Sequence, residues 1–167
     1  MAADVPVVKS REPFEVFYGR EYRPLLGLAH VLTGNPSLAE ELTQEAFLAA
    51  YRLWDRLDNP EGWIRSVVSN HARSWFRRRY AEMRALTRLG PRREAGILEM
   101  PADTAYVWDE VRRLPRRQAQ IIALVYLEDR STREVAQILG CTESTARVHL
   151  ARGRKHLATV LGVQEET

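Results

Sequence analysis

A chain of 167 residues has room for one average domain or two small ones, and 25 basic against 22 acidic residues leave a formal charge of only +3. A single cysteine, Cys141, excludes an internal disulfide framework and any thiolate metal site, and it fits a reducing cytoplasm. Charges at Asp4, Lys9, Arg11 and Glu12 stand where a signal peptide needs an apolar stretch, and the longest apolar run, Ile121–Leu127, is far below the roughly 20 residues that cross a bilayer. The expectation is a soluble cytoplasmic protein with no membrane insertion.

Helical spacing dominates and no strand series is visible, so the expected fold is all-α. A first helix is expected over Phe14 to Leu32 despite Pro24, ended by Gly34-Asn35-Pro36. Ser37 with Glu40 has capping-box spacing for a second helix running to about Leu57. After Asp58-Asn59-Pro60 a third helix is expected from Glu61 to just beyond Arg79. Gly90-Pro91, Gly96 and Pro101 then break the pattern over about 20 residues, more than one compact domain usually holds without regular structure. We therefore expect two small helical domains, 10–80 and 103–162, joined by a flexible linker over 81–102. The second should hold four helices: Thr104 to Leu114, Pro115 to Glu128, Thr132 to Leu139 after Ser131, and Glu143 to Leu161 capped by Thr142. A short helix, a turn through Gly140 and a longer basic helix make a helix-turn-helix pattern.

Charge is segregated along the chain. Residues 35–58 carry five acids and two bases, whereas 61–88 carry seven arginines and two acids. The last helix adds Arg147, Arg152, Arg154 and Lys155. In a helix-turn-helix the second helix lies in the major groove. That places hydroxyls at Thr142, Ser144 and Thr145 near phosphates, and Arg147 and Arg152 within reach of guanine edges. Val135, Ile138, Leu139, Leu150 and Leu157 supply its interior, with Ala136 where the two helices approach closely. On the third helix, Trp63, Trp75, Phe76 and Tyr80 alternate with Arg73, Arg77, Arg78 and Arg79, a mixture suited to stacking and holding an unpaired strand. Trp63 and Phe76 are expected in the core in any case, Trp75 fits either role, and Asn70 could read a base edge, although an isolated asparagine is usually a plain surface residue. Gln44, Glu45, Leu48 and Arg52 form a mixed stripe on the second helix, which composition alone reads as a solvated face. No enzyme motif, metal-ligand spacing or cofactor loop is present, and His30, His71, His149 and His156 are scattered.

Leu32-Thr33-Gly34-Asn35 followed by Ala39-Glu40-Glu41-Leu42-Thr43-Gln44-Glu45-Ala46-Phe47, then Trp63-Ile64-Arg65 through Asn70-His71-Ala72-Arg73 to Trp75-Phe76-Arg77-Arg78-Arg79, resemble one group of bacterial transcription proteins. Leu114-Pro115-Arg116-Arg117-Gln118 and Ser131–Cys141 extend the likeness. The group is the extracytoplasmic-function sigma factors of the sigma-70 family, in particular its small actinobacterial SigE-type members. The resemblance covers about Phe14 to Leu161 and makes 10–80 sigma region 2 and 103–162 region 4. It implies a non-enzymatic factor that binds core RNA polymerase through the clamp of the largest subunit and the flap, and that directs it to promoter DNA. Glu41, Gln44, Glu45, Leu48 and Arg52 would then meet the polymerase, replacing the solvated-face reading. Asn59, Arg65, Asn70, Arg73, Trp75, Arg77 and Arg78 would serve the minus-ten element. Thr142, Ser144, Thr145, Arg147, Val148, Ala151, Arg152 and Lys155 would serve the minus-thirty-five element. An anti-sigma factor is a further partner of the kind the resemblance brings. Ser144-Thr145-Ala146 replaces the family's usual Gly-Thr-Val, so promoter preference is not carried across. The rival readings are a stand-alone helix-turn-helix regulator, which should bind duplex operators tightly by itself, and a helical adaptor that binds only protein.

Overall fold

The computed structural model describes residues 11–86 and 101–162, and every described element is helical. Three helices form the first lobe: α1 (Phe14–Thr33), α2 (Pro36–Arg52) and α3 (Pro60–Leu86), with a 3-10 turn at Trp54–Arg56. Four form the second: α4 (Ala102–Arg113), α5 (Arg116–Tyr126), α6 (Thr132–Leu139) and α7 (Glu143–Leu161).

Local chemistry sets the boundaries. Asn35, not Ser37, caps α2: its side chain accepts the Leu38 N–H at 3.0 Å, with Pro36 at the first helical position, where a missing N–H is harmless. The expected run of α2 to Leu57 also fails. The helix ends at Arg52, and Leu53 and Leu57 stay packed on the core through the 3-10 turn, so their apolar spacing outlives the α-helix. Asn59 caps α3 by accepting the Gly62 N–H at 3.0 Å. That helix continues to Leu86, several residues into the expected linker. The rest of that expected linker, 87–100, lies outside the described residues.

In the first lobe, Phe17, Leu25, Leu28, Leu42, Ala46, Ile64 and Val68 form the centre. An aromatic group closes one end, with Phe14 edge-on to Tyr51 at 5.0 Å and to Trp54 at 5.2 Å. The second lobe packs around Trp108, Val111, Leu114, Ile121, Leu124 and Val135. Gln120 and Glu110 are buried polar residues of this lobe.

The lobes are docked on each other. α1 packs against α4 and α5, and α3 against α6, so the buried apolar residues of both halves make one continuous cluster. Arg112 of α4 sits under the end of α1, donating to the Val31 carbonyl at 3.0 Å and stacking over Gly34. No helix among the described residues is long and apolar enough to cross a membrane.

Candidate nucleic-acid interface

The α6–turn–α7 unit is built tightly. Ser131 and Glu134 form a complete capping box at the start of α6, and hydrogen bonds from Ser131 hold the Glu134 carboxyl below its usual range. Gly140 ends the helix at φ 66°, a left-handed conformation that a β-carbon would strain. Thr142 caps α7 by accepting the Thr145 N–H at 3.2 Å, and its hydroxyl lies 3.0 Å from that of Ser144 and 2.8 Å from that of Thr145.

One face of α7 is turned inward. Ala146 is fully buried, Leu150 and Leu157 are partly buried, and Gly153 lies against α5, where a β-carbon would stand 3.1 Å from Ile122 Cγ1. The opposite face carries the residues expected to read the minus-thirty-five element. Thr142, Ser144, Thr145, Arg147, Val148, Ala151, Arg152 and Lys155 are all exposed. Arg147 donates to Glu143 Oε1 at 2.6 Å, and Thr132 of α6 donates to the same oxygen at 3.1 Å. Glu143 was not among the expected site residues, although its spacing four before Arg147 is the signal for such a pair.

On α3 the expected set divides. Asn59 is exposed and serves as a helix cap. Asn70 is half-buried and donates from Nδ2 to Ser66 at 3.3 Å. Arg65 is a correction to the expected DNA contacts: it is 2% exposed and encased by carboxylates. Its Nη2 donates to Glu21 of α1 at 2.8 Å, its Nη1 to the Glu61 carbonyl at 3.2 Å, and its Nε to Glu128 after α5. Burial alone would lift the Glu21 carboxyl, but hydrogen bonds from Arg20 and Arg65 outweigh it and hold it low. At Glu128 burial wins and pushes the carboxyl up despite Arg65 and Arg130. Arg73, Trp75, Arg77 and Arg78 lie along the same helix, and their side chains, like that of Phe76, are outside the described set. Trp63 packs partly buried on the core, as expected.

α2 has two distinct faces. Leu38, Ala39, Leu42, Thr43, Ala46, Phe47 and Ala50 are buried. Gln44, Glu45, Leu48 and Arg52 are exposed and Glu41 half-buried, so the five residues expected to meet polymerase share the outer face. Tyr51, 60% exposed and one turn beyond Leu48, extends that face and was missed. Its i, i+3 relation to Leu48 and i, i+7 relation to Gln44 would have found it.

The described residues contain no His, Cys, Asp or Glu cluster able to hold a metal ion. The geometry defines an all-helical, two-lobed protein with a helix-turn-helix whose second helix is apolar inward and basic outward.

Comparison with known proteins agrees lobe by lobe. The Sigma-70 region 2 family model matches residues 17–82, and the Sigma-70, region 4 model matches 104–157. The chain is 30% identical over 135 residues to the RNA polymerase sigma-E factor of Streptomyces antibioticus, covering 77% of this chain and 75% of that protein. It is 27% identical over 147 residues to that of Streptomyces coelicolor, covering 86% and 83%. A probable RNA polymerase sigma factor of Xanthomonas campestris is 29% identical over 139 residues, but the chain spans only 35% of that longer protein. In fold it is similar to the sigma factor RpoE solved with the anti-sigma factor NepR from Bartonella quintana, at TM-score 0.71 and 21% identity, covering 91% of this chain and 98% of the other. CnrH, solved with the cytosolic domain of CnrY, gives TM-score 0.68 at 20% identity, covering 91% and 89%. The chain belongs to the sigma-70 family of RNA polymerase sigma factors, as an alternative sigma factor of the extracytoplasmic-function group.

Proposed function

We propose that the outer face of α2 docks on the clamp of the largest polymerase subunit and that α7 reads the minus-thirty-five element as duplex. The end of α3 holds the unpaired minus-ten strand, acting in the cytoplasm and with no covalent step by this chain. The observation that carries the reading is α7 itself. Eight residues suited to phosphates, guanine edges and thymine methyls line its exposed side, while Ala146 and Gly153 press the other side onto α5 and α6. Arg73, Trp75, Arg77 and Arg78 supply the stacking face and backbone cations for the strand, with Asn70 as the base reader. In the docked chain Arg65 is buried and bridges Glu21 of the first lobe and Glu128 of the second, so it offers no surface to the strand there. The flap is the second polymerase contact, reached by the second lobe. An anti-sigma factor, as NepR is for the Bartonella protein, is the class of partner that would hold the chain inactive.

The docked lobes set a condition on this mechanism. α3 packs against α6 and α6 against α7, so the two DNA-reading helices belong to one docked body, and a compact chain of this length has a radius of gyration of only about 15 Å. Elements about 25 base pairs apart are separated by roughly 85 Å of duplex. The lobes must part before both are read together.

Run-off transcription with purified core polymerase and a pool of genomic fragments tests the assignment. New start sites are expected to appear with the protein. Arg152→Ala should weaken them roughly 5- to 150-fold by removing one base contact of about 1–3 kcal/mol. Glu45→Lys should abolish core binding while leaving duplex affinity intact. Absence of core binding together with tight, salt-sensitive binding of free duplex would overturn the reading in favour of the stand-alone regulator.

A further inference from the structure

The cations of α7 are not held alike. Arg152, Arg154 and Lys155 are exposed and, among the described residues, pair with no carboxylate. Arg147, its side chain 68% exposed, is tethered: Nη2 donates to Glu143 Oε1 at 2.6 Å. The same oxygen accepts the hydroxyl of Thr132, the first residue of α6, at 3.1 Å. Glu143 is thus fixed from one helix of the helix-turn-helix and in turn fixes an arginine on the other.

Its own helix does not require this arrangement. Thr142 already caps α7 by accepting the Thr145 N–H. Glu143 stands at the first helical position, whereas the capping carboxylate of α6, Glu134, stands at the third. An acid in the first turn favours the helix dipole wherever its side chain points, so the dipole leaves both contacts unaccounted for. An exposed pair four residues apart adds little to stability. At the DNA-facing end of α7 a carboxylate also opposes binding, since it repels phosphate. What the arrangement supplies is aim. Arginine is long and rotamer-rich, and two parallel bonds to a guanine edge need its planar fork in one orientation. A tether at Nη2 leaves the other N–H donors of the fork for a base and draws the side chain away from the phosphates.

We propose that Glu143 is a positioning residue for promoter recognition. Held by Thr132, it aims the Arg147 guanidinium at one base of the minus-thirty-five duplex and gives up phosphate affinity for base discrimination. The inference rests on the reading of α7 given above and adds what sets its specificity.

The test assembles the full chain with core polymerase, binds it to a pool of duplexes of random sequence and sequences the bound fraction. Arg147→Ala identifies the base position that Arg147 reads. Glu143→Ala should lower the preference at that same position by about fivefold, the lower end of what one bidentate contact discriminates. Glu143→Gln keeps an acceptor for both donors and should restore part of the preference, while Thr132→Val should lose part of it. In an Arg147→Ala chain, Glu143→Ala should change no preference further. With the chain alone, Glu143→Ala should raise affinity for mixed-sequence duplex and steepen its salt dependence by about one counter-ion, as Arg147 turns to phosphate. Unchanged helicity shows that the variants fold. Preferences untouched by Glu143→Ala overturn the inference and leave the reading of α7 standing. So does a loss at a different base position, which would make Glu143 a reader in its own right, and so does a uniform loss of affinity. If the assembled wild-type chain enriches no sequence beyond core alone, the reading of α7 falls and the inference with it.

Discussion

Arg65 shows how a residue's neighbourhood overrides its chemical type. Set among arginines in the sequence, it resembles a phosphate contact; in the fold it is walled in by Glu21, Glu61 and Glu128. Removing a buried ion's partner is dear because the remaining charges stay desolvated. Arg65→Met should therefore destabilise the chain by roughly 3–5 kcal/mol, read by urea denaturation. A change below 1 kcal/mol would show that water reaches the cluster. The role was illegible beforehand because two of the partners lie 44 and 63 positions away in the chain. Contacts within four residues were open to sequence reasoning, as the caps at Ser131 and Thr142 show. The Asn35 cap was open as well, since Pro36 after it is the usual first helical residue.

At the scale of the element, the aim of α7 is set by what lies behind it. Gly153 lets the helix approach Ile122 and Gln118 of α5 closely, with a β-carbon position 3.1 Å from one and 3.5 Å from the other. Gly153→Leu should cost about 1–3 kcal/mol through overpacking and tilt α7 off its seat. Duplex affinity should then drop in electrophoretic shift assays although no DNA-facing residue has changed; retained affinity would mean that α7 tolerates a displaced seat. The extents of α6 and α7 followed from period and punctuation, because Gly140 and the hydroxyl caps act locally, whereas α5 spans Arg116–Tyr126, with Pro115 as its cap, and stops short of the expected Glu128. The end of α2 was misread since Leu53 and Leu57 keep helical spacing while the backbone has already tightened to a 3-10 turn. The close approach at Gly153 was not legible at all, as nothing in a sequence states which helix lies behind a glycine.

At the scale of the molecule, docking of the lobes carries a pH signature. His30, near the end of α1, is held below its usual pKa by burial first and by the nearby Arg112 cation second, and its Nδ1 is buried without a partner. A histidine so depressed favours the folded state in its neutral form. Its contribution is complete above about pH 6.5 and is lost as pH falls through the folded-state value. The thermal midpoint should decline between pH 7.5 and 5.5, and His30→Gln should flatten part of that decline. Equal slopes in the two proteins would remove His30 from the account. Glu128, raised by burial, works in the opposite sense, since its protonation favours the folded chain at lower pH. The docking of α3 on α6 and of α1 on α4 and α5 also has a kinetic consequence. A chain that must part its lobes before gripping a promoter passes through a first-order step whose rate no excess of polymerase can hasten. Its hold on a contested polymerase pool rests on the exposed face of α2, whereas its speed in seizing a promoter rests on how often the lobes part.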